Sequence, residues 1–267
     1  MKSLESIEQN EVRFYDALYA DIRRQYPDLT VTEGEIEELA RPVLDGGSNF
    51  PYYERYRYLF DCLGKVRGKR ILELCCGNGY LAVYFARRGA QLVGIDISQV
   101  GIEYAQARVD ANECRGRLSF ARNSAYQLAF REGTFDFVIS NSAHHLQDWE
   151  LLGREVHRVL KPGGRAVFVE PLGHNWFFQF VRGHPFYHTL ASPDEKGHGV
   201  RLEDAARFGG PFASWRAEGR HLLFTAKRVL RRRIVLRALD RTDQTLFRWF
   251  PGLRRWASVV VVEAVKG

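Results

Sequence analysis

The chain has 267 residues, 45% of them hydrophobic, and a formal charge of +7; that length buries one full core with room for a smaller cap, which argues against two independent domains. Its longest apolar run, near Val259 to Val262, is too short to span a bilayer, and the first residues mix Glu and Lys with apolar side chains where a signal peptide would be apolar, so a cytoplasmic protein is expected. Cys62, Cys75, Cys76 and Cys114 lack the spacing of a disulfide scaffold or a zinc site, so reduced thiols and no metal are expected.

Residues 4 to 26 place Leu4, Ile7, Val12, Phe14, Tyr15, Leu18 and Ile22 at helical spacing, and Pro27 stops the pattern. Gly46 and Gly47 mark a loop, and the aromatic segment Phe50 to Leu63 predicts a second helix. From Lys69 short apolar runs alternate with helical patterns: strand Arg70 to Leu74, helix Tyr80 to Arg88, strand Gln91 to Asp96, helix Gln99 to Asn112 and strand Arg117 to Ala121. Strand Phe135 to Ser140, helix Trp149 to Leu160 and strand Arg165 to Glu170 continue the series. This order predicts an α/β fold, a doubly wound and mostly parallel sheet with helices on both faces, whose ligands sit beyond the carboxyl ends of the strands. Residues 172 to 200, rich in His, Pro, Gly and aromatics, break the rhythm and predict an insertion or lid. A helix-rich segment, Leu222 to Phe250, then leads through Pro251 and Gly252 to a strand, Trp256 to Val265. The expected organisation is an N-terminal helical cap over 1–68, a core over 69–171, a lid over 172–210 and a C-terminal completion of the α/β domain over 211–267.

The segment Ile71-Leu72-Glu73-Leu74-Cys75-Cys76-Gly77-Asn78-Gly79-Tyr80 ends one strand and opens a helix, and Gly77 and Gly79 let the backbone approach a ligand closely. Glu73, an acid on an otherwise apolar strand, suits a cationic amine, and Val93-Gly94-Ile95-Asp96 ends the second strand in an acid suited to two ribose hydroxyls. With Phe135-Asp136-Phe137-Val138-Ile139-Ser140-Asn141 as a fourth strand and Val156-His157-Arg158-Val159-Leu160-Lys161-Pro162-Gly163-Gly164 as a helix and turn, these motifs resemble the class I S-adenosylmethionine-dependent methyltransferases over about residues 50 to 171. The resemblance implies a Rossmann-like fold, S-adenosyl-L-methionine as cofactor, and in-line methyl transfer to an O, N or C atom of a small organic acceptor. It implies cofactor contacts from Glu73, Leu74, Cys75, Gly77, Gly79, Asp96, Ile97, Ser124, Ala125 and Asn141.

The chain departs from that family at two positions. Cys75 stands where the first glycine is usual, a replacement expected to be tolerated if its φ is negative. Ser124 stands where an acid usually accepts from the adenine amino group, leaving a hydroxyl that accepts more weakly. Other readings of the same residues are a nicotinamide-dependent oxidoreductase, because Gly77 to Ala82 also satisfies G-x-G-x-x-A, and a non-catalytic S-adenosylmethionine scaffold or sensor.

Methyl transfer from a sulfonium needs positioning first and a base only if the acceptor loses a proton. In Asn141-Ser142-Ala143-His144-His145-Leu146, after the fourth strand, His144 or His145 is the candidate base, with packing under the cofactor as the plainer alternative. Glu170 and His174, where the fifth strand enters the lid, are candidate acceptor contacts, and a structural cap is the plainer role for Glu170. The lid's aromatics suit a flat or apolar acceptor. Its histidines, His174, His184, His188 and His198, lack the acidic partners and compact spacing of a metal site. The Asn-Ser-Ala-His sequence and the lack of a Pro-Cys pair count against nucleic-acid bases as acceptors, although the net charge leaves an RNA methyltransferase as an alternative. The basic stretch Lys227 to Arg237, followed by Phe247, Trp249, Phe250 and Trp256, fits either a solvated helix face or peripheral contact with an anionic membrane. The sequence leaves the oligomeric state open.

Overall fold

Two apolar faces, alternating residue by residue along the strands, dictate a sheet buried on both sides. In the computed structural model, which describes residues 4–32, 34, 53–173, 199–223 and 233–267, Ile71, Phe137, Ile139, Val167, Val169 and Val261 enter one core. Their neighbours Leu72, Leu74, Val138, Ala166, Phe168, Val260 and Val262 enter the other.

The chain begins with α1 (Leu4–Gln25) and α2 (Tyr53–Leu63), then β1 (Arg70–Leu74), α3 (Tyr80–Arg87), β2 (Gln91–Asp96), α4 (Gln99–Ala111) and β3 (Leu118–Arg122). It continues with β4 (Phe135–Ser140), α5 (Trp149–Val159), β5 (Leu160–Pro171), α6 (Leu202–Gly209), β6 (Ser214–Arg220), α7 (Arg233–Trp249), a 3-10 turn (Pro251–Trp256) and β7 (Val259–Val265). The seven strands form one sheet in the order β3-β2-β1-β4-β5-β7-β6. Only β7 runs antiparallel to its neighbours, β5 and β6; the pairs among β1 to β5 are parallel. Leu59 and Leu63 of α2, with α3 and Val109 of α4, cover one face. Trp149, Leu152 and Val156 of α5, Phe208 of α6 and Phe247 of α7 cover the other.

The strand order reverses between β1 and β4, so the chain leaves the sheet in opposite directions there and opens a crevice beyond their carboxyl ends. At the opposite end of β4, Asp136 accepts from the Arg70 N–H and from Lys161 Nζ, each at 2.9 Å, which makes it a sheet fastener remote from that crevice.

Three parts of the sequence reading need correction. The fifth strand begins at Leu160 instead of Arg165, because Gly163 takes φ +72 and reciprocal backbone bonds with Lys266 hold the Lys161–Gly164 turn on the end of β7. Helix α6 and strand β6 were not predicted. The first is short, and it packs so tightly on α5 that a Cβ on Gly153 would collide with the Phe208 carbonyl oxygen; the second, Ser-Trp-Arg-Ala-Glu-Gly-Arg, is a polar edge strand without an apolar alternation. No helix among the described residues is long and apolar enough to cross a membrane.

Candidate functional site

The turn after β1 forms the floor of the crevice. Cys75, Gly77 and Gly79 take φ values of +53, +51 and +69, and the turn is closed by hydrogen bonds from Cys76 N–H to the Ile95 carbonyl and from Gly79 N–H to the Cys76 carbonyl, both 3.0 Å. Cys75 is therefore left-handed, contrary to the negative φ expected of it; an L-residue held there stores about 1–2 kcal/mol, which the surrounding turn sustains. Burial and the nearby carboxylates push its thiol well above the ordinary cysteine range, so the side chain remains a neutral wall of the crevice. Leu74 is fully buried beneath it.

Two acids flank this turn. Asp96, 5% exposed, accepts from the Gly77 N–H on Oδ2 and from the Ser98 N–H on Oδ1, both 2.9 Å. It ties the glycine turn to the start of α4 and lines the crevice. Burial pushes its pKa up, opposed by the N–H groups of Ser98, Gly77 and Ile97. Glu73 is 2% exposed, and its Oε2 has no hydrogen-bond partner. Burial, then the Asp96 charge, raises its pKa to about 8. An unpartnered carboxyl in such a place takes up a cationic donor readily, because the donor removes the penalty of ionising it.

The crevice is lined by Cys75, Ile95, Asp96, Ile97, Asn123, Ala125, Ser142, His144, His145 and Leu146, and by Glu8, Glu11, Tyr15 and Tyr19 of α1. The α1 residues were not singled out in the sequence, where α1 reads only as an amphipathic helix. It lies across the crevice on polar contacts: Ser124 Oγ donates to Glu8 Oε1 at 2.5 Å, Tyr15 Oη meets His145 Nδ1 at 3.3 Å, and Ser98 Oγ donates to Asp16 Oδ1 at 2.6 Å. The Tyr19 ring covers the glycine turn so closely that a Cβ on Gly77 would lie 2.5 Å from its hydroxyl. Burial, then the Glu8 charge, raises the Glu11 pKa to about 7.

The loop after β4 brings in the two histidines, and the structure separates their surroundings. Glu170, fully buried, accepts from the Ala143 N–H at 2.8 Å on one oxygen and meets His144 Nδ1 at 3.3 Å on the other. It reaches the crevice only through His144. His145 is desolvated and repelled by His144, and its pKa falls to about 3. Asn141 is partly exposed and accepts from Ser142 Oγ at 3.4 Å, away from the crevice lining. His174 and the lid's other histidines and aromatics lie outside the described residues, as do Lys227 to Arg232 of the basic stretch.

All ionisable groups lining the crevice among the described residues are acids, histidines, tyrosines or a cysteine; none is Lys or Arg. In a chain of charge +7 the crevice is thus a place without lining cations among the described residues. Among the described residues, no group of three or more His, Cys, Asp or Glu is arranged to hold a metal ion.

Residues 71–164 match a family model described as a methyltransferase domain. The chain is similar to an uncharacterized methyltransferase of Synechocystis sp., 36% identical over 130 residues, 47% of this chain and 58% of that protein. It is also similar to the ubiquinone biosynthesis O-methyltransferase of Alkalilimnicola ehrlichii, 35% identical over 116 residues, 43% of this chain and 46% of that protein. The chain thus spans about half the length of these curated relatives. In fold it resembles the phosphoethanolamine N-methyltransferase 2 of Haemonchus contortus, solved in complex with S-adenosyl-L-methionine, with a TM-score of 0.58 at 22% identity over 88% of this chain and 57% of that one.

Proposed function

We propose that this chain, whose residues 71–164 match a methyltransferase domain, is a class I S-adenosylmethionine-dependent methyltransferase that transfers a methyl group from S-adenosylmethionine to a small organic acceptor. The observation that carries this reading is the unpartnered Oε2 of Glu73, buried within reach of the charge of Asp96, which itself lines a crevice free of Lys and Arg among its described lining residues. A nicotinamide dinucleotide would bring an anionic pyrophosphate to the turn beside Glu73, whereas the ammonium and sulfonium of S-adenosylmethionine bring the missing positive charge; Asp96 would hold a ribose in either case. Glu73 and the Cys75–Gly79 turn would hold the amino-acid end, and Asp96 the sugar. When bound, S-adenosylmethionine supplies a methyl group activated by its sulfonium.

The charge of Glu73 leads to a measurable expectation. In the ligand-free protein the carboxyl holds its proton at pH 6.5, because its pKa is raised to about 8; a bound ammonium favours the carboxylate. Calorimetric titration with S-adenosylhomocysteine at pH 6.5, in buffers of different ionisation enthalpy, is expected to register release of about one proton per site, and Glu73→Gln to abolish the release. Equal release in both proteins would remove Glu73 from the site. The same shift means that the ligand-free fold loses stability as pH rises from about 4.5 to about 8, since the unfolded chain surrenders the proton first.

On the acceptor side the surroundings favour His144 over His145 as the base. The Glu170 carboxylate behind Nδ1 orients the His144 ring, while His145, with its pKa near 3, has little capacity to hold a proton and serves to hold Tyr15. For an acceptor that must lose a proton, His144→Ala is expected to lower kcat about 100-fold with unchanged Kd for S-adenosylhomocysteine. An undiminished kcat at saturating substrate would eliminate this role. The reading as a whole is tested with methyl-labelled cofactor and a panel of phenols, amines, carboxylic acids and RNA. Label transfer to a small molecule supports it; transfer to RNA alone, or tight cofactor binding without transfer to any class, contradicts it.

The acceptor reading extends to an apolar compound met at a membrane surface, because Trp249 and Phe250 at the end of α7 are 74% and 61% exposed beside Arg248. Vesicles containing anionic lipid are expected to sediment the protein, and Trp249→Ala with Phe250→Ala to weaken that binding at least about fivefold; equal sedimentation of both proteins would contradict the contact.

A further inference from the structure

The strongest hydrogen-bond acceptor at the β3 side of the crevice comes from a distant part of the chain. The turn after β3 offers Asn123, Ser124 and Ala125, and its hydroxyl is already committed: Ser124 Oγ gives its single hydrogen to Glu8 Oε1 at 2.5 Å and accepts from the Tyr126 N–H at 3.2 Å. A serine hydroxyl so engaged has one lone pair left, whereas the Glu8 carboxylate has two oxygens and uses part of only one. Glu8 lines the crevice, and α1 is held over it at three further places, through Tyr15, Asp16 and Tyr19. The carboxylate therefore occupies a defined position at the end of the crevice that is furthest, in strand order, from Glu73.

A nucleoside whose amino-acid end lies at β1 and whose sugar lies at β2 directs its base toward β3. Adenine carries an exocyclic amine, a donor that gains most from a charged acceptor. We propose that Glu8 of α1 supplies this acceptor: with Ser124 in the place of an acid, the hydroxyl aims the Glu8 carboxylate at the adenine amine, and α1 thereby becomes part of the cofactor site. The proposal rests on the S-adenosylmethionine reading above. It also couples cofactor recognition to the docking of α1, since the carboxylate is present only while the helix lies across the crevice.

The test is calorimetric binding of S-adenosylhomocysteine and of its analogue with hydrogen in place of the exocyclic amine. Wild-type protein is expected to prefer the amine by about tenfold or more, the scale of one hydrogen bond to a charged group. Glu8→Ala is expected to bind both ligands alike, at the level of the analogue. Glu8→Ala combined with Ser124→Asp returns a carboxylate from the other segment and is expected to restore the preference, an outcome that a merely structural role for Glu8 would not give. Undiminished preference in Glu8→Ala, a wild-type protein that does not distinguish the ligands, or a failure of the double variant to regain the preference overturns the proposal while leaving the cofactor reading in place. If the wild-type protein binds neither ligand, the cofactor reading fails and the proposal with it.

Discussion

Asp96→Ala is expected to weaken S-adenosylhomocysteine binding by at least about 100-fold, or about 3 kcal/mol, and to lower the stability of the ligand-free protein by about 2 kcal/mol. The two effects have separate causes. For the fold, the carboxylate accepts from the Gly77 and Ser98 N–H groups at 2.9 Å. Alanine strands both donors in a buried place, at about 1–3 kcal/mol each, offset in part because a desolvated charge has also been removed. For binding, the carboxylate that lines the crevice is the proposed acceptor for the sugar, and the turn that carries Gly77 loses its tie to α4. Asp96→Asn keeps the shape and one acceptor, so it is expected to fall between wild type and Asp96→Ala in both measurements. Affinity of Asp96→Ala within tenfold of wild type would contradict the role.

Gly79→Val is expected to destabilise the fold by about 3 kcal/mol or more, measured by urea unfolding. Gly79 sits at φ +69, where a β-branched residue is strained whatever the space around it. The space is also missing. A Cβ there would lie 2.8 Å from the Cβ of Ala105, 2.9 Å from Phe120 Cζ and 3.2 Å from the Cα of Ala105, so relief requires the backbone of α4 to move. The nearby Gly77 shares the positive φ, at +51, but its Cβ would meet the end of the Tyr19 side chain instead of a helix backbone. A loss under 1 kcal/mol in Gly79→Val would mean that the turn is far softer than its contacts imply.

The parallel half of the sheet was legible in the sequence. β1, β2 and β4 have the bounds that their apolar runs and terminal acids predict, because a strand buried on both faces must be apolar throughout. The edge was not: β6 leaves all but one of its residues exposed or half-buried and is fixed by pairing with β7, a long-range contact that leaves no local pattern. The site divides in the same way. Asp96, an acid at a strand end where local chemistry dictates position, is readable in the sequence and lines the crevice; Glu73, Gly77 and Gly79 are readable in the same way as the turn beside it, and their part in binding is a proposal. Glu8, Glu11 and Tyr19 are not, because polar positions on a helix read as a solvated face until tertiary packing shows what they cover, and Tyr15 reads only as one more position of the helix's apolar stripe. Cys75 illustrates a further limit: residue type predicts the more comfortable backbone, and the turn imposed the less comfortable one.

The most direct measurement is a crystal structure of the protein grown with S-adenosylhomocysteine. The expected result places the ligand's amino-acid end on Glu73 and the Cys75–Gly79 turn, its sugar on Asp96 and its base between Ser124 and α1. A crevice left empty at saturating ligand, or one that rejects this ligand and accepts a nicotinamide dinucleotide, would contradict it.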